Sequence, residues 1–177
     1  ITLEGNPLPV FMATSPQRLC KGDPAEFSLF SNANLSNCQW HFSNGSIFSG
    51  TTVQNLNFNF EGCLDVKVIA TTDLGCVDSL MLTDFICYDA TPIADFTPGY
   101  AQITTLIPEL QFWNESQGAS SYFWSFGDQT SSNETNPYHI FPDEVGVYDI
   151  TLLAFSETGC VATAFGQIEI IEDLFIY

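Results

Sequence analysis

The chain has 177 residues, with 21 Asp plus Glu against 3 Lys plus Arg and a formal net charge of −18. Its three basic residues, Arg18, Lys21 and Lys67, cannot build a phosphate-tracking surface, which argues against nucleic acid and against adsorption to anionic membrane. A hydrophobic share of 45%, with 16 Phe, sets it apart from a disordered acidic tail, and no apolar run approaches the roughly 18 residues of a membrane span. The first residue is Ile1 rather than Met, the expectation for a processed product or an excised segment.

From the N-terminus, Cys20-Lys21-Gly22 opens a strand carrying Phe27-Ser28-Leu29, and Trp40-His41-Phe42 follows on the next. Asn44-Gly45 marks a turn and Glu61-Gly62 a corner. Leu64, Val66, Val68 and Ala70 then alternate with Asp65, Lys67 and Ile69, the period of a strand with one face in a core. Gly75-Cys76 turns the chain again, and a polar stretch, Tyr88-Asp89-Ala90-Thr91-Pro92, closes the first half.

The second half repeats the first. Trp40, Gly62 and Gly75-Cys76 recur 84 residues on as Trp124, Gly146 and Gly159-Cys160. Pro92 and Leu110-Gln111-Phe112 answer Pro9 and Phe27-Ser28-Leu29 at an offset of 83. Self-similarity at one period marks tandem copies of one unit, predicted at residues 1–88 and 89–177. Each copy holds about seven short strands, frequent turns and a mid-domain Trp, which predicts an all-β fold of two tandem immunoglobulin-like β-sandwiches. Trp40, Phe42, Trp124 and Phe126 are its expected core, and Tyr148 falls at a tyrosine-corner position where the first copy has Leu64.

Trp124-Ser-Phe-Gly-Asp128, Asn136-Pro-Tyr-His139 and Gly146-Val-Tyr-Asp-Ile-Thr-Leu152 resemble the signature of PKD domains, W-x-F-G-D-G, N-P-x-H-x-Y and G-x-Y-x-V-x-L. Gln129 replaces the second Gly and Phe141 the Tyr, and the first copy departs further, with Trp40-His-Phe-Ser-Asn-Gly45 and no Asn-Pro segment. Cys20-Lys21-Gly22 and the Gly-Cys hairpins resemble PKD modules of large Bacteroidetes surface proteins, and Ile171-Glu-Asp-Leu-Phe-Ile-Tyr177 looks like the run-in to a type IX secretion sorting domain. The resemblance implies an extracellular, non-enzymatic segment.

Six Cys without a CxxC pair, and with only His41 and His139, fit disulfides in an oxidising compartment better than a metal centre. On sandwich topology Cys38 and Cys76 lie at one end of the first domain and Cys20 and Cys63 at the other. That predicts Cys38–Cys76, Cys20–Cys63 and an interdomain Cys87–Cys160 bridge.

No nucleophile stands at motif spacing from either His, and neither Gly-x-Ser-x-Gly nor His-Glu-x-x-His occurs. No cofactor is expected, with one open alternative: calcium in acidic loops, at Asp128 with Asn133 and Glu134, or at Asp89 with Asp95. Trp113, Tyr122 and Tyr138 are candidates for stacking on a glycan, against the plainer expectation of core residues. The expected role is an adhesive or spacing segment, monomeric within a larger chain, that contacts another protein or a cell-surface component without entering a membrane. Two alternatives stand beside it. One is a fibre subunit whose segments Ile1 to Met12 or Gln167 to Tyr177 add to a neighbour's sheet edge; the other is a carbohydrate-binding accessory module.

Overall fold

A computed structural model describes residues 11–14 and 18–173, of which 11–14 are described in backbone only. All regular structure among them is strand, in two units, Ile1–Asp89 and Ala90–Tyr177. The division falls one residue beyond the predicted 88/89 boundary because the last strand of the first unit runs through Asp89.

The first unit carries β1 (Phe11–Thr14), β2 (Arg18–Cys20), β3 (Ala25–Ser31), β4 (Leu35–Phe42), β5 (Ile47–Ser49), β6 (Thr52–Leu56), β7 (Gly62–Thr72) and β8 (Val77–Asp89). They form two sheets, β1-β3-β6 and β2-β8-β7-β4-β5, with β2 parallel to β8. Phe27, Leu29, Trp40, Phe42, Val66, Val68 and Ile86 lie buried in one core. Phe27 sits 4.9 Å from the Trp40 ring, centroid to centroid.

The second unit carries β9 (Phe96–Thr97), β10 (Tyr100–Thr104), β11 (Glu109–Gln111), β12 (Trp113–Asn114), β13 (Ser121–Ser125), β14 (Ser131–Ser132), β15 (Tyr138–Ile140), β16 (Gly146–Phe155) and β17 (Val161–Ile171). One sheet is β10-β17-β16-β13-β14, with β10 parallel to β17; the pairs β11-β15 and β12-β9 supply the other layer. Each unit is thus an immunoglobulin-like sandwich. Phe112 takes the place beside Trp124 that Phe27 takes beside Trp40. The Phe112 equivalence therefore belongs to Phe27, not Leu29.

The repeat holds at the level of hydrogen bonds. Trp40 Nε1 donates to the Gly50 carbonyl (2.8 Å) and Trp124 Nε1 to the Glu134 carbonyl (2.9 Å), each ten residues on. The hairpins match too: Gly75 and Gly159 have φ of 81° and 91°, and their amides donate to the carbonyls of Thr72 and Ser156. Gly127 has φ of 78°, and a Cβ there would lie 2.7 Å from the Asp149 nitrogen, so the loop needs glycine twice over. The first copy solves the same approach differently, with Ser43 Oγ accepting the Asp65 amide (3.1 Å). Two residues on, Gly45 and Gln129 share a left-handed φ of 87° and 73°. Gln129 therefore carries a strain that the glycine of the resembling signature would not.

The disulfides differ from the expectation. Cys63 and Cys87 face each other across β7 and β8 and are bonded, with their Cα atoms 4.0 Å apart. That bond excludes both Cys20–Cys63 and Cys87–Cys160. Cys38 carries a free, buried thiol, so the Cys38–Cys76 bridge is not formed. Cys38 is opposite Ala70 on β7, whereas the Cys76 carbonyl accepts the Thr72 amide from the far side of that strand. Two strand spacings and two residues of rise separate them by roughly 11 Å, beyond the reach of a disulfide.

Of the segments expected to add to a neighbour's sheet, Phe11 and Met12 pair within β1 to β3, and residues 167–171 lie in β17 between β10 and β16. Residues 1–10 and 174–177 lie outside the described residues.

Replacing Gln129 by Gly should stabilise the second unit by about 1 kcal/mol, whereas Gly127→Ala should cost more than about 2 kcal/mol, both read by chemical denaturation. Non-reducing peptide mapping should return a Cys63–Cys87 peptide, with Cys38 alkylated only after denaturation. Losing that bridge should cost about 3 kcal/mol by loop-closure entropy.

Candidate binding surfaces

The signature residues of the second unit hold its loops together. Trp124 is fully buried, and its indole N–H reaches across to Glu134. Asp128 Oδ2 lies 2.8 Å from His139 Nε2. Asp128 Oδ1 accepts both the amide and the hydroxyl of Thr130. The imidazole stacks flat on Phe126 at 3.9 Å and meets the edge of Phe141 at 4.5 Å. Burial alone would raise the Asp128 pKa, but the Thr130 and His139 hydrogen bonds outweigh it and hold the carboxyl below its ordinary 3.8. A relay that activates a hydroxyl needs acid and nucleophile on opposite ring nitrogens. Here Thr130 Oγ1 and Asp128 Oδ2 both face Nε2, which fits a loop clasp and not a nucleophile pair.

Asn136-Pro137 acts on the opposite layer. The Asn136 side-chain oxygen accepts the Asn114 amide (2.9 Å) and the Pro137 carbonyl accepts the Phe112 amide (2.9 Å). Those bonds bridge the gap between β11 and β12, so Tyr138 points outward while His139 turns in. Tyr148 lies half-buried against Phe141, and its hydroxyl donates to the Glu144 carbonyl (3.3 Å), four residues upstream. That is the geometry of a tyrosine corner.

Three of the acidic candidates, Asp128, Asp95 and Asp89, are engaged by neighbouring groups. Both Asp128 oxygens are used by the clasp, Asp95 Oδ1 accepts the Phe96 amide, and Asp89 Oδ1 lies 3.6 Å from Arg18. The Glu134 carbonyl serves Trp124, and Asn133 is exposed beside it. Among the described residues, no three His, Cys, Asp or Glu side chains converge as metal ligands.

The aromatic candidates divide. Trp113 and Tyr138 are 56% and 52% exposed on the outer face of the β11, β12 and β15 layer, joined there by Ile140. Gln111 is opposite Tyr138 and two residues before Trp113, which makes the two rings diagonal neighbours. The Glu109 carboxylate raises the pKa of the Tyr138 phenol. Tyr122 does not join them: it packs against the core, with its hydroxyl on the Ala119 carbonyl (3.4 Å). It shares the inward face of β13 with Trp124, two residues away. His41 lies on the first unit's outer sheet face beside Gln39.

Residues 89–170 match the PKD domain family. No curated protein sequence matches the chain. Among solved structures it is similar to the four N-terminal Ig domains of Dscam1 isoform 1.9 (12% identity, covering 87% of this chain and 43% of that one, TM-score 0.36). A Ca2+-stabilized adhesin that helps an Antarctic bacterium bind ice is also similar (9% identity, 86% and 45%, TM-score 0.48). So is SGBP-B of the Bacteroides ovatus mixed-linkage glucan utilization locus, solved with a mixed-linkage heptasaccharide (11% identity, 94% and 48%, TM-score 0.36). The chain spans less than half the length of each of these three structures.

The clasp has a pH signature. A carboxyl held below its ordinary value stabilises the fold above pH 3.8 and loses that contribution as pH falls through its folded pKa. The stability gap between the native chain and Asp128→Asn should therefore close on acidification below about pH 4. A gap independent of pH in urea unfolding would contradict the pairing.

Proposed function

We propose that this chain is a non-enzymatic adhesion or spacer segment of an exported, surface-located protein. The observation that carries it is how the side chains of the second unit are used. The groups with chemistry to offer, Asp128, His139, Thr130 and the Trp124 indole, are all engaged in holding loops. The large apolar side chains left facing water on the β11, β12 and β15 layer are Trp113, Tyr138 and Ile140, with Glu109 beside them. Aromatic residues exposed together on a rigid sheet are the composition of a contact surface. The Cys63–Cys87 bond suits an oxidising compartment. The PKD match over residues 89–170 supports the same reading, and export by the type IX route of Bacteroidetes is its most specific form.

Protease shaving of intact source cells tests the location. An antibody against this chain should lose its signal on shaving, and a signal that survives until the cells are lysed would contradict the proposal. A spacer segment should also run as a monomer in native mass spectrometry.

A further inference from the structure

The second unit has another exposed face, on its five-stranded sheet, and it differs in kind from the Trp113 surface. Where β10 begins alongside β17, a groove of about 560 Å3 opens over β16 and β17. That size lies in the usual small-ligand range of about 300–1,000 Å3. Its aromatic walls are Phe165 and Tyr100, 77% and 64% exposed. Phe165 is opposite Thr151, whose small side chain leaves one ring face uncovered. Gly99 and Gly166 also line it, and Gly166 cannot take a larger residue freely: a Cβ there would lie 2.5 Å from the Gly99 carbonyl oxygen.

The polar groups are arranged as neutral donor and carboxylate pairs. Gln167 Nε2 donates to Asp149 Oδ1 (2.9 Å) in the groove. Beside it, Glu169 Oε2 accepts from the Tyr100 hydroxyl (3.0 Å) and from Gln102 Nε2 (2.8 Å). Each carboxylate is oriented by amides or a phenol, with no cation between them. We propose that this groove binds a neutral sugar. A pyranose offers one apolar C–H face for an aromatic ring and a rim of adjacent hydroxyls, each both donor and acceptor. Asp149 and Gln167, held side by side, present an acceptor and a donor to such a pair, and hydrogen bonds to the ionised partner are the stronger kind.

Other occupants fit less well. Residues 90–177 contain twelve acidic residues and no Lys or Arg, so a phosphate or uronate would meet only like charge. An extended peptide needs a free strand edge, and here β10 already covers β17, with the Gln167 amide on the Gly99 carbonyl (2.9 Å). A quaternary ammonium would use the rings and carboxylates but leave the Gln167 amide without a role.

The test is a nitrogen-15 chemical-shift titration of the whole chain with neutral gluco-, galacto-, manno- and xylo-oligosaccharides, with tetramethylammonium and an oligogalacturonate alongside. At least one neutral sugar should move the amides of Gly99, Gly166 and Gln167 saturably. Phe165→Ala and Gln167→Ala should each weaken it about tenfold without changing the circular dichroism or melting temperature, and Trp113→Ala should leave it unchanged. Silence with every neutral sugar at about 10 mM, an affinity too weak to count as recognition, would overturn the proposal. So would shifts confined to the Trp113 and Tyr138 amides, or a stronger response to either charged probe. Because the surface-location test reads a different property, failure of the groove leaves that reading standing.

Discussion

One hydrogen bond organises each half of this chain. A tryptophan on an inner strand is buried to the last of its surface, and its single polar hydrogen must find an acceptor inside the protein. In both units it finds a main-chain carbonyl ten residues on, at Gly50 or Glu134. The bond ties the strand to the segment that leaves its neighbour and fixes the length of the loop between them. Large rings then fill the space around the indole: Phe27 and Phe85 in the first unit, Phe96 and Phe112 in the second.

Around that anchor the two copies have diverged in their side chains while keeping the same turn. The loop after the second strand residue closes identically in both, with the Phe42 and Phe126 amides donating to Ser46 and Thr130. The first copy has a serine where the second has Gly127, and a glycine where the second has Gln129. The second copy adds an Asp128–His139 clasp, its acid–base pair among the described residues in a unit with no Lys or Arg. The outer faces of its two layers have taken different characters, one an open aromatic surface and the other a narrow groove edged with carboxylates.

What could be read in the sequence follows the range of the physics involved. The strands were legible because burial on one face imposes a period of two, and the repeat because the Trp and the turn glycines obey local geometry. The cysteine pairing was not, because it depends on register between β7 and β8. That register shifts at a bulge near Asp84, whose φ is 49° and whose amide donates to Asp65 Oδ1. Four consecutive residues, Phe85 to Tyr88, are consequently buried, and alternation no longer reports which way Cys87 points. Tyr122 could have been placed from parity alone, since two residues separate it from the buried Trp124. The groove had no local signal, because Tyr100 and Phe165 meet only through a parallel pairing between residues 67 apart, Tyr100 and Gln167.

Hydrogen exchange of the three indole N–H groups, followed by NMR on the intact chain, tests the tryptophan anchor most directly. The account predicts slow exchange at Trp40 and Trp124, limited by unfolding of their units, and fast exchange at Trp113. Exchange at Trp40 or Trp124 as fast as at Trp113 would show that the buried indole bond does not organise the fold.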